Sequence, residues 1–368
     1  MRAAVPSLIL MLTMTPEAFA LYDDGARYAF MASASSKSIS VIDLQEQALV
    51  HTIRLQRAPT SVTVSDRLKA VVIGHAPENR LTLIDISTSD LAQIDYPLSL
   101  APSIVEMSPV GETVAIYDAQ AERLEVHAFR RRSVLLSADN VQLSTDFTFS
   151  IDGAKIYWVD DAAGTFNSID LWSERERIGL AKPRSGLSAM SRSIDGTIGF
   201  ISEASANVVH MIDLLTLTPV LQVPVGSKPG RPWGTADGRY MLVPNNGDST
   251  LTAISTATGE SVYTVPAVDN AVSINAGWLD SMAAVVGASG QVAFIDMDDG
   301  KVTTRYELGG VPIDGIVTSD SRTLAVPVPG SGSLVFFDMQ DRARVSALGG
   351  LAPDIGPAAL AISNNLCH

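Results

Sequence analysis

The sequence predicts an all-β fold, an eight-bladed β-propeller of four-stranded antiparallel blades. Three observations carry that expectation. A six-residue pattern of apolar, any, apolar, Ile, Asp, apolar recurs along the whole chain. Asp-Gly turn signals recur with it, and helical periodicity of useful length is absent outside the first twenty residues.

The clearest copies of the hexapeptide are residues 39–44 and 81–86, with worn copies at 124–129, 166–171, 209–214, 251–256, 292–297 and 334–339. The Asp position falls at 43, 85, 128, 170, 213, 255, 296 and 338, so the intervals are 42, 43, 42, 43, 42, 41 and 42. A period this regular, near about forty residues, is that of a propeller blade. Length alone suggests two or three domains, but the repeat favours one closed array over 21–368.

Each unit reads as four short strands. In residues 59–100 these are 61–64, 70–73, the Ile-Asp strand 81–86 and 92–96. The Asp closing the third strand has a local role, because its short carboxylate can accept backbone N–H groups two residues on and fix the turn. Six copies keep it, and Ala128 and Ser255 replace it in the others. Ser-x-Asp-Gly or Thr-x-Asp-Gly turns stand at 150–153, 193–196 and 235–238, where Gly accepts the positive φ of a tight hairpin. The two ends complete each other. Residues 24–30 start at a turn and run into a second strand, whereas 355–363 read as a first strand with nothing after it. Pairing the C-terminal strand with the N-terminal blade would close the ring and leave no open sheet edge.

Composition fits this scheme and narrows the partners. Of 368 residues 46% are apolar and 18% charged, with a formal net charge of -14. Strands covered on both faces need few charges. An acidic chain without clustered Lys and Arg argues against nucleic acid or an anionic membrane surface as partner. Residues 1–20 read as a signal peptide: Arg2 is followed by the apolar stretch 5–14, and Ala18-Phe19-Ala20 offers a cleavage site before Leu21. That apolar stretch is too short to span a bilayer. Export to a periplasm or beyond is expected, with no membrane insertion after cleavage. The single Cys, Cys367, has no partner for an intramolecular disulfide.

On these motifs the chain resembles the bacterial YVTN-type β-propeller repeat proteins, which share the Ile-Asp third strand and the Ser-x-Asp-Gly turn. Thr258-Gly259 after the sixth copy fits their Thr-Gly turn, with Ser255 in place of Asp. The likeness covers almost all of 22–363, and its motifs are structural. An eight-bladed ring of this kind is also broadly similar to the haem-d1 propeller of cytochrome cd1 nitrite reductase and its relatives. Among secreted propellers of this kind some are metal chaperones, and lactonases form a seven-bladed branch.

Propeller ligands usually meet the mouth of the central channel, where loops enter each first strand. Those loops supply Arg57, Pro102, Asp139 with Asn140, Arg184, Lys228, Arg231 and Trp233, then Asp269 with Asn270, Asp314, and Asp354. Asp269, Asp314 and Asp354 come from three successive blades and, with Asn270, offer oxygen ligands for a hard cation such as calcium. Arg184, Lys228 and Arg231 precede them and offer a cationic arc for an anion. Polar loops are also what solvation alone requires. Of five histidines, only His75, read as a loop residue beside the mouth, is a candidate axial or metal ligand. Cys367-His368 is a second, terminal pairing that suits a soft metal. The four tryptophans read as blade-packing residues, with Trp233 nearest the channel. Gly-x-Ser-x-Gly is absent, and Gly330-Ser331-Gly332-Ser333 lacks the Lys and helix of a phosphate loop.

The reading these residues support is an exported, non-catalytic and monomeric scaffold. It would offer its channel mouth to a small ligand or another periplasmic protein, and no cofactor is assigned. The alternative is a metal or d1-type tetrapyrrole binding or chaperone protein, which requires a histidine or carboxylate cluster at the channel. A lactonase-type hydrolase fits the blade count less well.

Overall fold

The structure, a computed structural model, describes residues 27–172, 175–277, 279, 281–318, 320–352, 354 and 360–362. Among them, every third strand ends on the repeat position: Ser38–Asp43, Arg80–Asp85, Arg123–Ala128, Thr165–Asp170, Val208–Asp213, Thr250–Ser255, Gln291–Asp296 and Ser333–Asp338. Around these form eight four-stranded sheets, all of them antiparallel and paired in sequence order. Blades 2 to 8 begin with first strands Ser61–Ser65, Ile104–Met107, Phe147–Phe149, Ser191–Arg192, Trp233–Gly234, Ala271–Gly277 and Ile316–Val317. Blade 1 is split. Its second strand Tyr28–Ser33 pairs with Leu360–Ile362, in the register Ala29 with Ile362, Phe30 with Ala361 and Met31 with Leu360. The C-terminal strand therefore closes the ring on the N-terminal blade, as the sequence predicts. The first strands approach one another across neighbouring blades and line the channel.

No central core exists in such a ring, because the strands alternate their side chains between two interfaces. Tyr28, Phe30 and Ala32 point to blade 2, and Ala29 and Met31 to blade 8. Among the described residues the buried apolar side chains form eight clusters, one between each pair of adjacent blades. Trp158 is buried between blades 3 and 4 with Arg175 stacked 4.7 Å from its ring centre. Trp233 packs between blades 6 and 7. Trp172 departs from the expected packing role: it follows the third strand of blade 4 and is 81% exposed, because the turn directs it outward. Trp278 lies outside the described residues.

Two repeated bonds hold the blade ends in place, one in six blades and the other in all eight. All six period aspartates accept the N–H two residues on, from Asp43 with Gln45 at 2.9 Å to Asp338 with Gln340 at 2.9 Å. At the other end, the residue before every third strand is left-handed, from Lys37 at φ 48° to Gly290 at φ 90°. Its carbonyl takes an N–H from the chain leaving the fourth strand, as with Lys37 and Leu55 at 2.8 Å or Gly332 and Leu351 at 2.9 Å. That bond, present in all eight blades, fixes the crossover leading to the next first strand. It thereby places the mouth.

Candidate functional site

The crossovers bring together only part of the predicted mouth. Arg231, two residues before the first strand of blade 6, is half-buried and reaches back across two blades. Its Nη1 donates to Asp146 Oδ2 at 2.5 Å and its Nε to Ser191 Oγ at 3.3 Å. Ser191 in turn donates to the Pro232 carbonyl at 2.5 Å. Blades 4, 5 and 6 are thus tied across the channel by one guanidinium. Asp146 Oδ1 remains buried and without a hydrogen-bond partner. Asp314 enters from blade 8, bonds the Gly315 N–H at 2.7 Å, and also accepts from Ser273 of blade 7. Burial pushes its carboxyl up to about 6, against the opposing pull of those two donors and of Arg231. The residue as a whole is half-buried.

Two further charged groups stand in first strands near this network. Glu106 sits in the first strand of blade 3, and burial with the Asp146 charge pushes it up to about 8, against Arg231 and Arg192. Arg192, in the first strand of blade 5, is held below the usual guanidinium value by burial, with Glu106 and Tyr157 acting the other way. The sequence reading missed Asp146, Glu106 and Arg192. A usable signal was present: a charged residue inside a first strand is out of place in a stretch otherwise apolar or hydroxylated.

The remaining candidates are placed singly. Arg57 lies at the rim between blades 1 and 2, where Nη1 pairs with Asp95 of the fourth strand at 3.0 Å beside Gln56 and Gln93. Arg184 and Lys228 are exposed and left-handed, at φ 56° and 49°, their N–H groups bound to the Asp161 carbonyl and to Asn207 Oδ1. Asp139 is exposed, 3.6 Å from Arg123, and the Asn140 carbonyl takes Arg175 at 2.8 Å. Asp269 accepts from Ser249, and Asn270 is left-handed with its carbonyl bonded to the Ala288 N–H. Asp354 accepts the N–H groups of Ala34 and Ser35 at 2.6 and 2.9 Å. Burial pushes its carboxyl up, but the bonds from Ser35 and Ala34 outweigh this and hold it below the usual range. The three carboxylates offered for calcium therefore each serve a different neighbour. Among the described residues no group of three or more His, Cys, Asp or Glu side chains converges as a metal site.

His75 is not in a loop but is the last residue of the strand Ala70–His75, and it is 1% exposed. Its Nδ1 lies 2.9 Å from the Ala58 carbonyl, which can only accept, so Nδ1 carries the proton. Nε2, 2.9 Å from Thr82 Oγ1, then accepts from that hydroxyl. Both ring nitrogens are thus engaged. Burial lowers the imidazole pKa, opposed by the Ala58 bond. Cys367, His368 and residues 1–20 lie outside the described residues.

Known structures share this geometry. The fold matches the dihydro-haem d1 dehydrogenase NirN in complex with DHE, at a TM-score of 0.72 and 15% identity, over 88% of this chain and 73% of that one. The likeness is one of fold. A functionally unknown protein from Desulfotomaculum acetoxidans matches at 0.59 and 12% identity, over 92% of this chain and 99% of that one. BamB from Moraxella catarrhalis matches at 0.59 and 13% identity, over 81% and 92%. No protein-family model and no curated protein matches the sequence. Among the described residues no helix is long and apolar enough to cross a membrane.

Proposed function

We propose that the chain is an exported, non-catalytic β-propeller that binds a small polar ligand, or a partner protein's polar segment, at the mouth of its channel. The observation that carries this reading is the Arg231 network. One guanidinium from blade 6 bonds a carboxylate of blade 4 and a hydroxyl of blade 5, its charge acts on the Asp314 carboxyl of blade 8, and one Asp146 oxygen there has no partner. A rigid ring presents such groups preorganised, so binding costs little ordering. Export is supported by the charge and apolar pattern of residues 1–20.

A second reading, tetrapyrrole binding, is favoured by the fold shared with the haem d1 dehydrogenase. With both His75 nitrogens engaged and Arg231 bonded to Asp146 and Ser191, a first-strand cation left for such a ligand is Arg192, which suits its carboxylates better than its metal. Purification from the native envelope tests both readings. Expected are an intact mass beginning at Leu21, a colourless spectrum, and a retained small molecule or stoichiometric polypeptide that is lost in Arg231→Ala. A Soret-type band or stoichiometric metal would transfer the case to the second reading. Protein that retains nothing, or whose cargo ignores Arg231→Ala, overturns the first.

A further inference from the structure

First and third strands run away from the mouth, so the turns that follow them lie at the opposite end of the ring. Carboxylates hold the arginines there: Arg27 meets Asp43 at 2.6 Å, Arg67 meets Glu112 at 2.7 Å and Arg322 meets Asp338 at 3.3 Å. The turn after the third strand of blade 3 differs. It carries Arg130, Arg131 and Arg132 in succession, all exposed, against the scatter of basic residues elsewhere in the sequence. Among the described residues none of the three side chains has a hydrogen bond or an ion pair. The repeat explains the imbalance. Ala128 stands where six blades have the period aspartate, so the carboxylate that takes Arg27 or Arg322 is missing. Arg342, at the same step of blade 8 as Arg132, reaches Asp296 of blade 7 at 4.0 Å, whereas the charge of Arg132 acts on the Tyr96 phenol of blade 2. Three like charges this close repel one another until an anion joins them. The rim continues in apolar form. Trp172 and Leu215 take the step of Arg130 in blades 4 and 5, with their N–H groups bound to Asp170 and Asp213 at 3.0 and 2.9 Å. They are 81% and 83% exposed.

We propose that this rim, from blade 3 to blade 5, docks an extended acidic segment of a partner protein, its carboxylates on residues 130–132 and its apolar side chains on Trp172 and Leu215. This surface is separate from the mouth, which lies at the other end of the channel. A guanidinium is weakly hydrated and presents a planar fork that matches two carboxylate oxygens. Arg and Trp are also the side chains that most often anchor protein interfaces. Charge chooses among anionic partners. A bilayer or a nucleic-acid duplex presents a broad face of charge, which would also meet Asp90, exposed in the same turn of blade 2, and the field of a chain whose net charge is -14. A single segment meets the arginines alone, because their attraction extends only about 10 Å at 0.1 M salt.

The test reads the fluorescence anisotropy of a labelled peptide, Glu-Glu-Glu-Gly-Leu-Phe, titrated with the protein purified from the envelope. Saturable binding is expected, weakening several-fold as salt rises from about 0.05 to about 0.3 M. Arg130→Ala combined with Arg131→Ala should weaken binding at least about tenfold and flatten its salt dependence, because charge-assisted contacts are lost. Arg132 is left in place because it closes the turn in the left-handed region, at φ 48°. Trp172→Ser should weaken binding about fivefold and leave the salt dependence unchanged, as the loss of an apolar contact does. A peptide with Gln in place of Glu should bind at least about tenfold more weakly. If the double variant fails to fold, Arg130→Gln with Arg131→Gln replaces it, and the same loss is expected. Absence of saturable binding, unchanged binding in the folded double variant, or equal binding of the Gln peptide overturns the inference. Tighter binding of a DNA duplex or of phosphatidylglycerol vesicles, lost in the same variant, overturns it too and would make the rim a polyanion site. None of these outcomes depends on cargo at the mouth, so the two proposals fail separately.

Discussion

His75 is buried and Glu106 half-buried, and their folding linkages have opposite signs. The histidine is neutral in the fold, with its pKa lowered from 6.5 by burial. As pH falls through 6.5, the unfolded chain takes up a proton that the folded chain refuses, so stability is lost toward acid. Glu106 behaves in reverse. Its pKa rises from 4.5 to about 8, so the folded chain holds the extra proton, and stability is lost as pH climbs from 4.5 to 8. Melting temperatures across pH 5 to 8.5 separate the two. Relative to the native chain, His75→Gln should flatten the fall below 6.5, and Glu106→Gln should remove the decline toward 8. Curves that run parallel to the native one would mean that these groups are not enclosed as described. The histidine's burial was not legible beforehand, because its partners Ala58 and Thr82 come from two other segments of the blade. The role of Asp43 was legible, because its acceptors' partners are the next few residues.

At the scale of the element, the turns do more than reverse the chain. The x residue of one Ser-x-Asp-Gly turn rests on the glycine of the next blade's turn. A Cβ on Gly196 would stand 2.6 Å from Ile151 Cδ1, and one on Gly238 would stand 2.6 Å from Ile194 Cγ2. The motif therefore joins blades as well as strands, which explains side chains such as Ile151 that are exposed and still packed. On the mouth side the left-handed position before the third strand tolerates Asn79 or Glu122 but not every side chain. At Gly164, φ is 71° and a Cβ would run into the Ala181 carbonyl and the Lys182 backbone. Gly164→Ala is expected to cost more than about 2 kcal/mol, because strained φ and a backbone clash combine. Asn79→Ala, at the same step of blade 2, has φ 50° but already carries a Cβ, so it should cost about 1 kcal/mol. Urea titration of the two variants reads the difference, and equal costs would refute the close approach at Gly164.

The whole molecule is held by interfaces rather than by a core, and this divides what the sequence discloses from what it hides. The blade number follows from the spacing of one local strand, so it survives the loss of Asp at 128 and 255. The channel does not, since Asp146, Ser191 and Arg231 meet only when three crossovers are placed on a circle. The same geometry makes closure a stability requirement. Blade 1 has its second, third and fourth strands at one end of the chain and its first at the other. Without Leu360–Ile362, the strand Tyr28–Ser33 loses its partner and becomes an exposed edge along Phe30 and Met31. Leu360 and Ala361 also pack against the clusters that join blade 1 to blades 8 and 2. Because each blade buries its faces only against its neighbours, a gap at one interface weakens the ring as a unit. Deletion of residues 357–368 is therefore expected to give a chain that aggregates, or melts several degrees lower in a broadened transition. Adding the missing segment as a free peptide should partly restore the transition by pairing with the open edge. A soluble monomer with an unchanged melting temperature would show that the ring does not depend on its latch.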